Sequence, residues 1–249
     1  ATGFIAGNVY LSSTFDMNQE WGMHRCVNWP TADYQIKQAE RFLSEHEDRP
    51  ALLMLHFMDM HLPYTEPPDY RNIFAGPKPT AFENDSFLRQ DVFKAVSGKN
   101  SIAIKEHVRD RYDNNLRYID DVLSDFLSTL NSNDIVAIFS DHGEEFNEHG
   151  GFWHGTSLYE EVLHVPLIIK SASGGLKGIR VHWTVSTTDL PPTITHLLGL
   201  KADPSWSGSS LVTPAELSQN TPASACNPHP IDRVILAEND FEGNILSMI

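Results

Sequence analysis

Ile135-Val-Ala-Ile-Phe-Ser-Asp-His-Gly-Glu144 joins an uninterrupted apolar run to a carboxylate, an imidazole and a glycine. Five apolar residues in succession, ending in small and polar ones, read as a buried strand. Such a strand delivers Asp141 and His142 at its carboxyl end, the edge at which open α/β sheets bind their ligands. A carboxylate oxygen beside an imidazole nitrogen suits a divalent cation, and Gly143 lets the backbone turn sharply away. The segment runs on through Glu145-Phe-Asn-Glu-His-Gly-Gly-Phe-Trp-His-Gly155, so that three histidines and four acids fall between Ile138 and Gly155. His149 and His154 offer donors able to reach the oxyanion of a bound ester. From the residues alone two readings stand side by side, a cation site and a plain turn followed by a helix cap.

Working outward, Ala51–Met58 after Pro50 and Val165–Ile169 read as further buried strands, with Val234–Ala237 a weaker fourth. Residues 32–47 have helical composition, Tyr34, Ile36, Ala39, Phe42 and Leu43 forming an apolar stripe. Ile104, Val108, Tyr112, Leu116, Ile119, Leu123, Phe126 and Leu130 recur every three or four residues and predict one long amphipathic helix. Strands alternating with helices, each strand apolar throughout, indicate an α/β sheet covered on both faces. The Pro-, Gly- and polar-rich stretch 63–101 reads as an excursion over the sheet edge, and Pro204–Pro230 as a surface loop or linker. His56, inside an apolar run, reads as a core histidine, and Trp153 and Tyr159 as packing residues. Asp189 before Leu-Pro-Pro reads as the N-cap of a helix ending at Gly199. Glu144, Glu145 and Glu148 read as solvated, with a role for Glu144 in supporting a ligand residue as the alternative.

The 249 residues carry 18 Lys+Arg against 33 Asp+Glu, a net charge of −15. That balance argues against a nucleic-acid backbone or an anionic membrane as partner. It would also repel an anionic ester, so a site for one needs a local positive centre such as a metal ion. Cys26 and Cys226 are too few for a disulfide framework and lack the close spacing of a zinc site. No stretch approaches the roughly 20 apolar residues that span a bilayer.

Ser140-Asp-His-Gly-Glu144, Glu148-His-Gly150, Trp153-His-Gly-Thr-Ser-Leu-Tyr-Glu160 and Val165-Pro-Leu-Ile-Ile169, in that order and spacing, resemble the C-terminal signature of the sulfatase family. Asn8-Val-Tyr-Leu-Ser12, His61-Leu-Pro-Tyr-Thr-Glu-Pro-Pro68, Tyr112-Asp113, Tyr118-Ile-Asp-Asp121 and Thr188–Gly199 match in the family's order, so the resemblance runs to about Leu200. It implies an alkaline-phosphatase-like three-layer αβα sandwich with a mostly parallel central sheet, here incomplete at both ends. Residues 1–203 would belong to the catalytic domain and 204–249 to a surface loop and the start of the C-terminal region. By the same resemblance, Asp141 and His142 are the second pair of ligands to one divalent cation. Ca²⁺ comes first, then Mg²⁺ or Mn²⁺, with Zn²⁺ behind them. His61 resembles the histidine that contacts the ester oxygens or protonates the leaving group. His154 resembles the Lys or His that binds the transferred anionic group, a role His149 could share.

The family's opening strand ends in paired acids, followed by Cys or Ser, any residue, Pro or Ala, any residue, Arg, whose first residue becomes formylglycine. Neither feature occurs here: Cys26 is followed by Val-Asn-Trp-Pro and lies on the wrong side of Asn8–Ser12. The nucleophile is therefore expected in a preceding segment, and these residues alone are expected to bind metal weakly and turn over no ester. The implied activity is hydrolysis of a small-molecule or saccharide sulfate ester. A phosphonate or phosphate ester hydrolase of the same superfamily is the alternative, and a non-catalytic scaffold is an alternative of another class.

Overall fold

The computed structural model describes residues 1–82, 89–96, 101–171, 178, 180, 184–212, 235–239 and 245–248. The chain divides into two compact units, Ala1–Thr129 and Leu130–Ile249.

In the first unit, β1 (Thr2–Ala6) is flanked by β2 (Met23–Cys26) and β3 (Leu52–His56), and all three run parallel. β3 is the predicted Ala51–Met58 strand, trimmed at its end. β1 and β2 are short and mixed in composition, and each lacks the apolar run by which β3 announces itself. Helix α1 (Ala32–Ser44) is the predicted amphipathic helix and buries Ile36, Ala39 and Phe42. Phe42 lies against Gly3 of β1, on the face that Leu53 shares. The strands were expected to be covered on both faces, but Leu52 is 48% exposed and Met54 38%. In β1, by contrast, the consecutive Phe4 and Ile5, which point to opposite faces, are both buried.

The long periodic segment forms α3 (Ser101–Thr129), preceded by a short α2 (Arg89–Val96) inside the stretch read as an excursion. Ile104, Val108, Ile119 and Phe126 are buried as their spacing predicts, but Leu116 is exposed. The helix turns a polar row inward there instead: Arg111, Asn114, Asn115 and Tyr118 are all buried. These groups hold the chain that follows His61. Arg111 pairs with the buried carboxylate of Glu66 and donates to Tyr64 O at 2.6 Å. Asn115 donates to Glu66 Oε2 at 3.2 Å, and Asn114 brackets the chain by donating to Arg71 O and accepting from Phe74 N. A 29-residue helix thus fixes the excursion with buried hydrogen bonds as well as ring contacts, Tyr64 on Tyr112 and Tyr70 on Tyr118.

Just beyond β3, Asp59 Oδ1 accepts the Ala32 N–H at 3.0 Å, so an acid after the strand satisfies a free donor at the start of α1. Beside it Tyr118 donates its hydroxyl proton to Asp33 at 2.6 Å. That hydrogen bond holds the Asp33 carboxyl down at about 2. Burial, helped by the Asp33 charge, pushes Asp59 up to about 6.

The second unit contains the antiparallel pair β4 (Val136–Phe139) and β7 (Leu167–Lys170), with Ile138 opposite Ile168. Both strands were expected, but an apolar run does not encode pairing direction. Helix α5 (Leu190–Leu197) follows a 3-10 turn at Thr187–Asp189. Asp189 stands at the N-cap of α5 as expected, but its side chain makes no capping bond to that helix. Its buried carboxylate accepts Ser186 N at 2.9 Å, closing a capping box on the 3-10 turn, and Ser209 N at 2.8 Å, stapling the 204–212 chain against it. The weak strand at 234–237 is β8 (Leu236–Asn239), paired antiparallel with β9 (Ile245–Met248). Most of the predicted linker, with Cys226, lies outside the described residues.

Because folded Asp59 holds its proton more tightly than an unfolded aspartate, wild-type stability should fall as pH rises from about 4 to 6. The full loss should be about 3 kcal/mol. Asp59→Asn keeps an acceptor for Ala32 N–H and should remove that component. Urea unfolding of both proteins across this window would show it as a difference in slope, and parallel curves would contradict it.

Candidate active site

The site grows from the end of β4. Beyond Phe139 the chain bends through Ser140, whose hydroxyl donates to His142 O at 2.6 Å, while His142 N donates to Asp141 Oδ1 at 3.1 Å. The His142 ring donates Nδ1–H to Gly143 O at 2.9 Å, which turns Nε2 into the ring's lone-pair nitrogen. Nε2 lies 3.8 Å from Asp141 Oδ1. A hard oxygen and an imidazole nitrogen at this separation fit a single cation.

Gly143 is required here for a reason other than a sharp turn. Its N–H donates to Val162 O at 2.7 Å and Glu144 N donates to Glu161 O at 2.9 Å, bringing the strand-end chain against helix α4 (Glu160–Leu163). A Cβ at position 143 would lie 2.1 Å from Glu161 O. The glycine admits a backbone, much as Gly208 does, where a Cβ would meet Thr188 O at 1.8 Å.

Glu144 and Glu145, read as solvated, are buried. Glu145 is 1% exposed and opens the small hairpin of β5 (Glu145–Phe146) and β6 (Phe152–Trp153). Its Oε1 accepts His149 N at 3.1 Å and Gly151 N at 2.8 Å, and its Oε2 accepts the Ser157 hydroxyl at 3.2 Å. One carboxylate therefore gathers the whole loop. Glu148 is exposed, as expected, and accepts Phe146 N at 2.5 Å. Trp153 is buried, as its packing role predicts, but holds φ at +69°, unusual for a bulky side chain. The residue after this strained position is His154.

The structure brings three predicted site residues together. His154 stacks on His142 with ring centroids 3.8 Å apart, and Asp141 adjoins His142. His154 Nδ1 lies 2.9 Å from Glu144 Oε1. His149 belongs to the same loop but turns elsewhere: it stacks on Tyr159 at 3.5 Å and its Nδ1 lies 2.6 Å from Glu161 Oε1. Tyr159 is thus a half-exposed ring partner rather than a core residue. Glu145, His149 and Glu161 form a further group that could hold a metal ion, with ligand atoms within 4.8 Å of one another. Glu145, however, already accepts three hydrogen bonds there.

His61 belongs to the first unit, beyond the carboxyl end of β3. Its N–H donates to Met58 O at 2.9 Å, its Nδ1–H donates to Leu62 O at 2.7 Å, and its ring meets Trp29 edge-on at 5.2 Å. Cys26 donates its thiol proton to Asn8 O at 3.2 Å, and burial pushes the thiol up. Both effects disfavour the thiolate, in keeping with its rejection as nucleophile. The residues that sequence reasoning missed are Glu145, Glu161 and the cluster of Arg111 and Glu66. The i, i+3, i+4 spacing of Arg111, Asn114, Asn115 and Tyr118 was the available signal for the last of these.

The family profile described as Sulfatase matches residues 12–200. Arylsulfatase K of Mus musculus is 40% identical over 80 residues, 32% of this chain and 14% of that protein. Arylsulfatase K of Homo sapiens is 35% identical over 97 residues, 39% of this chain and 18% of its own length. The chain therefore matches less than a quarter of the length of these relatives. Among solved structures, the phosphonate monoester hydrolase of Agrobacterium radiobacter superposes with a TM-score of 0.59 at 21% identity, covering 79% of this chain and 45% of that one. The phosphonate monoester hydrolase from Silicibacter pomeroyi gives 0.56 at 16%, covering 73% and 41%. These likenesses show the alkaline-phosphatase-like α/β fold. Among the described residues no helix is long and apolar enough to cross a membrane.

Gly143→Ala should drive the 143–145 chain off α4, lowering stability by about 1–3 kcal/mol, the usual range for overpacking. Thermal unfolding by circular dichroism would measure it. A variant that melts with the wild type would show that the backbone contact is not needed.

Proposed function

Since this chain belongs to the sulfatase family, we propose that the whole protein hydrolyses a small-molecule or saccharide sulfate ester by nucleophilic attack on sulfur. The observation that carries this reading is the cluster of Asp141, His142 and His154 at the end of β4, with its two imidazoles in ring contact.

Sulfatases generally use a metal ion and a formylglycine. Asp141 and His142 would hold the ion, their donor atoms being an oxygen and the Nε2 left by the Nδ1–H bond to Gly143 O. Ca²⁺ is the first candidate and Mg²⁺ or Mn²⁺ the next, because the hard Asp141 oxygen suits such cations, with the His142 imidazole drawing toward Mn²⁺. Zn²⁺ ranks behind them. The ion supplies positive charge that offsets the nucleophile and the ester oxygens.

This chain's own residues supply the rest. As an imidazolium, with Nδ1–H on Glu144, His154 binds the anionic group through its Nε2–H, where a fixed donor stabilises charge that grows in the transition state. His149, on the same loop, has Nδ1 on Glu161 Oε1 and could share that role only through Nε2. His61 hands a proton to the leaving oxygen or orients it, its ring held by Leu62 O and Trp29. The formylglycine would come from a segment outside these 249 residues, and residues 1–203 would form part of the catalytic domain. The relatives named arylsulfatase K are matched by sequence, whereas likeness to the phosphonate monoester hydrolases lies at 21% identity or below and supports the fold alone.

In an enzyme carrying the nucleophile segment, Asp141→Ala and His154→Ala should each lower kcat/KM for an aryl sulfate by roughly 100- to 1,000-fold. Faster turnover of an aryl phosphonate monoester than of the matched sulfate by the unaltered enzyme would move the assignment to phosphonate hydrolysis. Full activity of either variant would remove that residue from the site.

A further inference from the structure

Glu144 lies two residues beyond the metal-type pair, yet it is not at the surface: its side chain is 5% exposed. Its backbone N–H is tied to Glu161 O at 2.9 Å, which fixes its Cα on α4. From there Oε1 reaches 2.9 Å to Nδ1 of His154. The ring of His154 has a second restraint, the stack on His142 at 3.8 Å with the planes inclined by 29°. The backbone just before it is held by Trp153, 4% exposed and at φ +69°. One ring edge is therefore fixed by a buried acceptor, one face by a second imidazole, and the Cα by a locked neighbour.

We propose that Glu144 is a positioning residue: by accepting the Nδ1–H of a doubly protonated His154 it fixes that ring's orientation, so that the Nε2–H faces the bound sulfuryl oxygens. The inference rests on the reading of His154 as an anion-binding residue. Imidazole nitrogens lie on opposite sides of the ring, so whichever group holds Nδ1 decides where Nε2 points. Without the acceptor, His154 could rotate about its side-chain bonds, and the anion would meet an unfixed donor. Outer partners of this kind commonly change affinity by 10- to 100-fold when removed, although they touch no ligand. The role asks only for an acceptor of the right shape, so an amide oxygen can stand in for the carboxylate.

The experiment uses the 249-residue chain labelled with ¹⁵N-histidine, as wild type, Glu144→Gln and Glu144→Ala, with inorganic sulfate as the probe. Long-range ¹H–¹⁵N spectra should show His154 protonated and hydrogen-bonded at Nδ1 in wild type and in E144Q, with that signature lost in E144A. Sulfate should shift the His154 Nε2 signal, and its apparent Kd should weaken about tenfold in E144A while E144Q stays near wild type. Protection of the Gly143 and Glu144 amides against exchange confirms that each variant keeps the α4 contact. A wild-type His154 unprotonated at Nδ1, an E144A that binds sulfate like wild type, or an E144Q as weak as E144A overturns the positioning role. No sulfate response at His154 in wild type, with the Nδ1 signature intact, instead overturns the anion-binding reading on which it rests.

Discussion

The close approach of two backbones at Gly143 is the constraint on which the second unit's site depends. Two N–H groups, of Gly143 and Glu144, donate to Val162 and Glu161 across a gap that leaves no room for a side chain. A hydrogen bond of this sort adds about 0.5–1.5 kcal/mol net, so its importance is geometric. It brings the end of β4 and the turn of α4 to one place, and from there Tyr159 and Glu161 reach His149 while Glu144 reaches His154. The loop between has few buried apolar side chains besides Phe152 and Trp153. It condenses instead around the carboxylate of Glu145, whose oxygens collect two amides and a hydroxyl. A buried carboxylate is tolerable only when its lone pairs are met, and this one is met by the segment it organises.

The first unit applies the same device on a larger scale. The excursion after His61 is held to α3 by Arg111, Asn114 and Asn115, which satisfy Glu66 and the carbonyls of Tyr64 and Arg71. Removing one member of a buried ion pair typically costs about 3–5 kcal/mol, whereas the pair itself stabilises little relative to an apolar replacement. Its value is that it accepts one arrangement of the chain only. A loop of prolines and polar residues can then carry His61 in a fixed position although few of its side chains are suited to a core.

The strong signals in the sequence were apolar ones, and they placed β3, β4, β7, α1 and α3 to within a few residues. Short strands such as β1 and β2 went unread because four or five mixed residues do not rise above turn composition. Pairing direction went unread for β4 and β7, since one apolar run looks the same in either sense. Leu116 was assigned to the core by spacing and lies outside it, because polar partners on the excursion claimed the adjoining face of the helix. At the candidate site, Asp141, His142 and His154 were legible by motif, and their convergence accords with it. Glu144 and Glu145 read as solvated, and the Asp189 carboxylate as serving α5, for one reason: an acid's sequence neighbours do not reveal which donors converge on it, and here loops bring them near.

That convergence of donors bears on how so acidic a chain could hold an anionic ester. With a net charge of −15, the carboxylates nearest the site would be expected to repel such a ligand. Glu144, Glu145 and Glu161 instead direct oxygens at groups of their own loop, namely His154, two amides with Ser157, and His149. Asp141 is the exception at 67% side-chain exposure, and it is the acid whose proposed task is to face a cation. The imidazoles are sorted by the same logic. His142 gives its Nδ1–H to a backbone carbonyl and His154 to a carboxylate, so in both rings the nitrogen left for a ligand is Nε2. Stacking the rings at 3.8 Å then places a proposed metal-binding imidazole and a proposed anion-binding one side by side, with the negative charge of the loop turned toward its own donors.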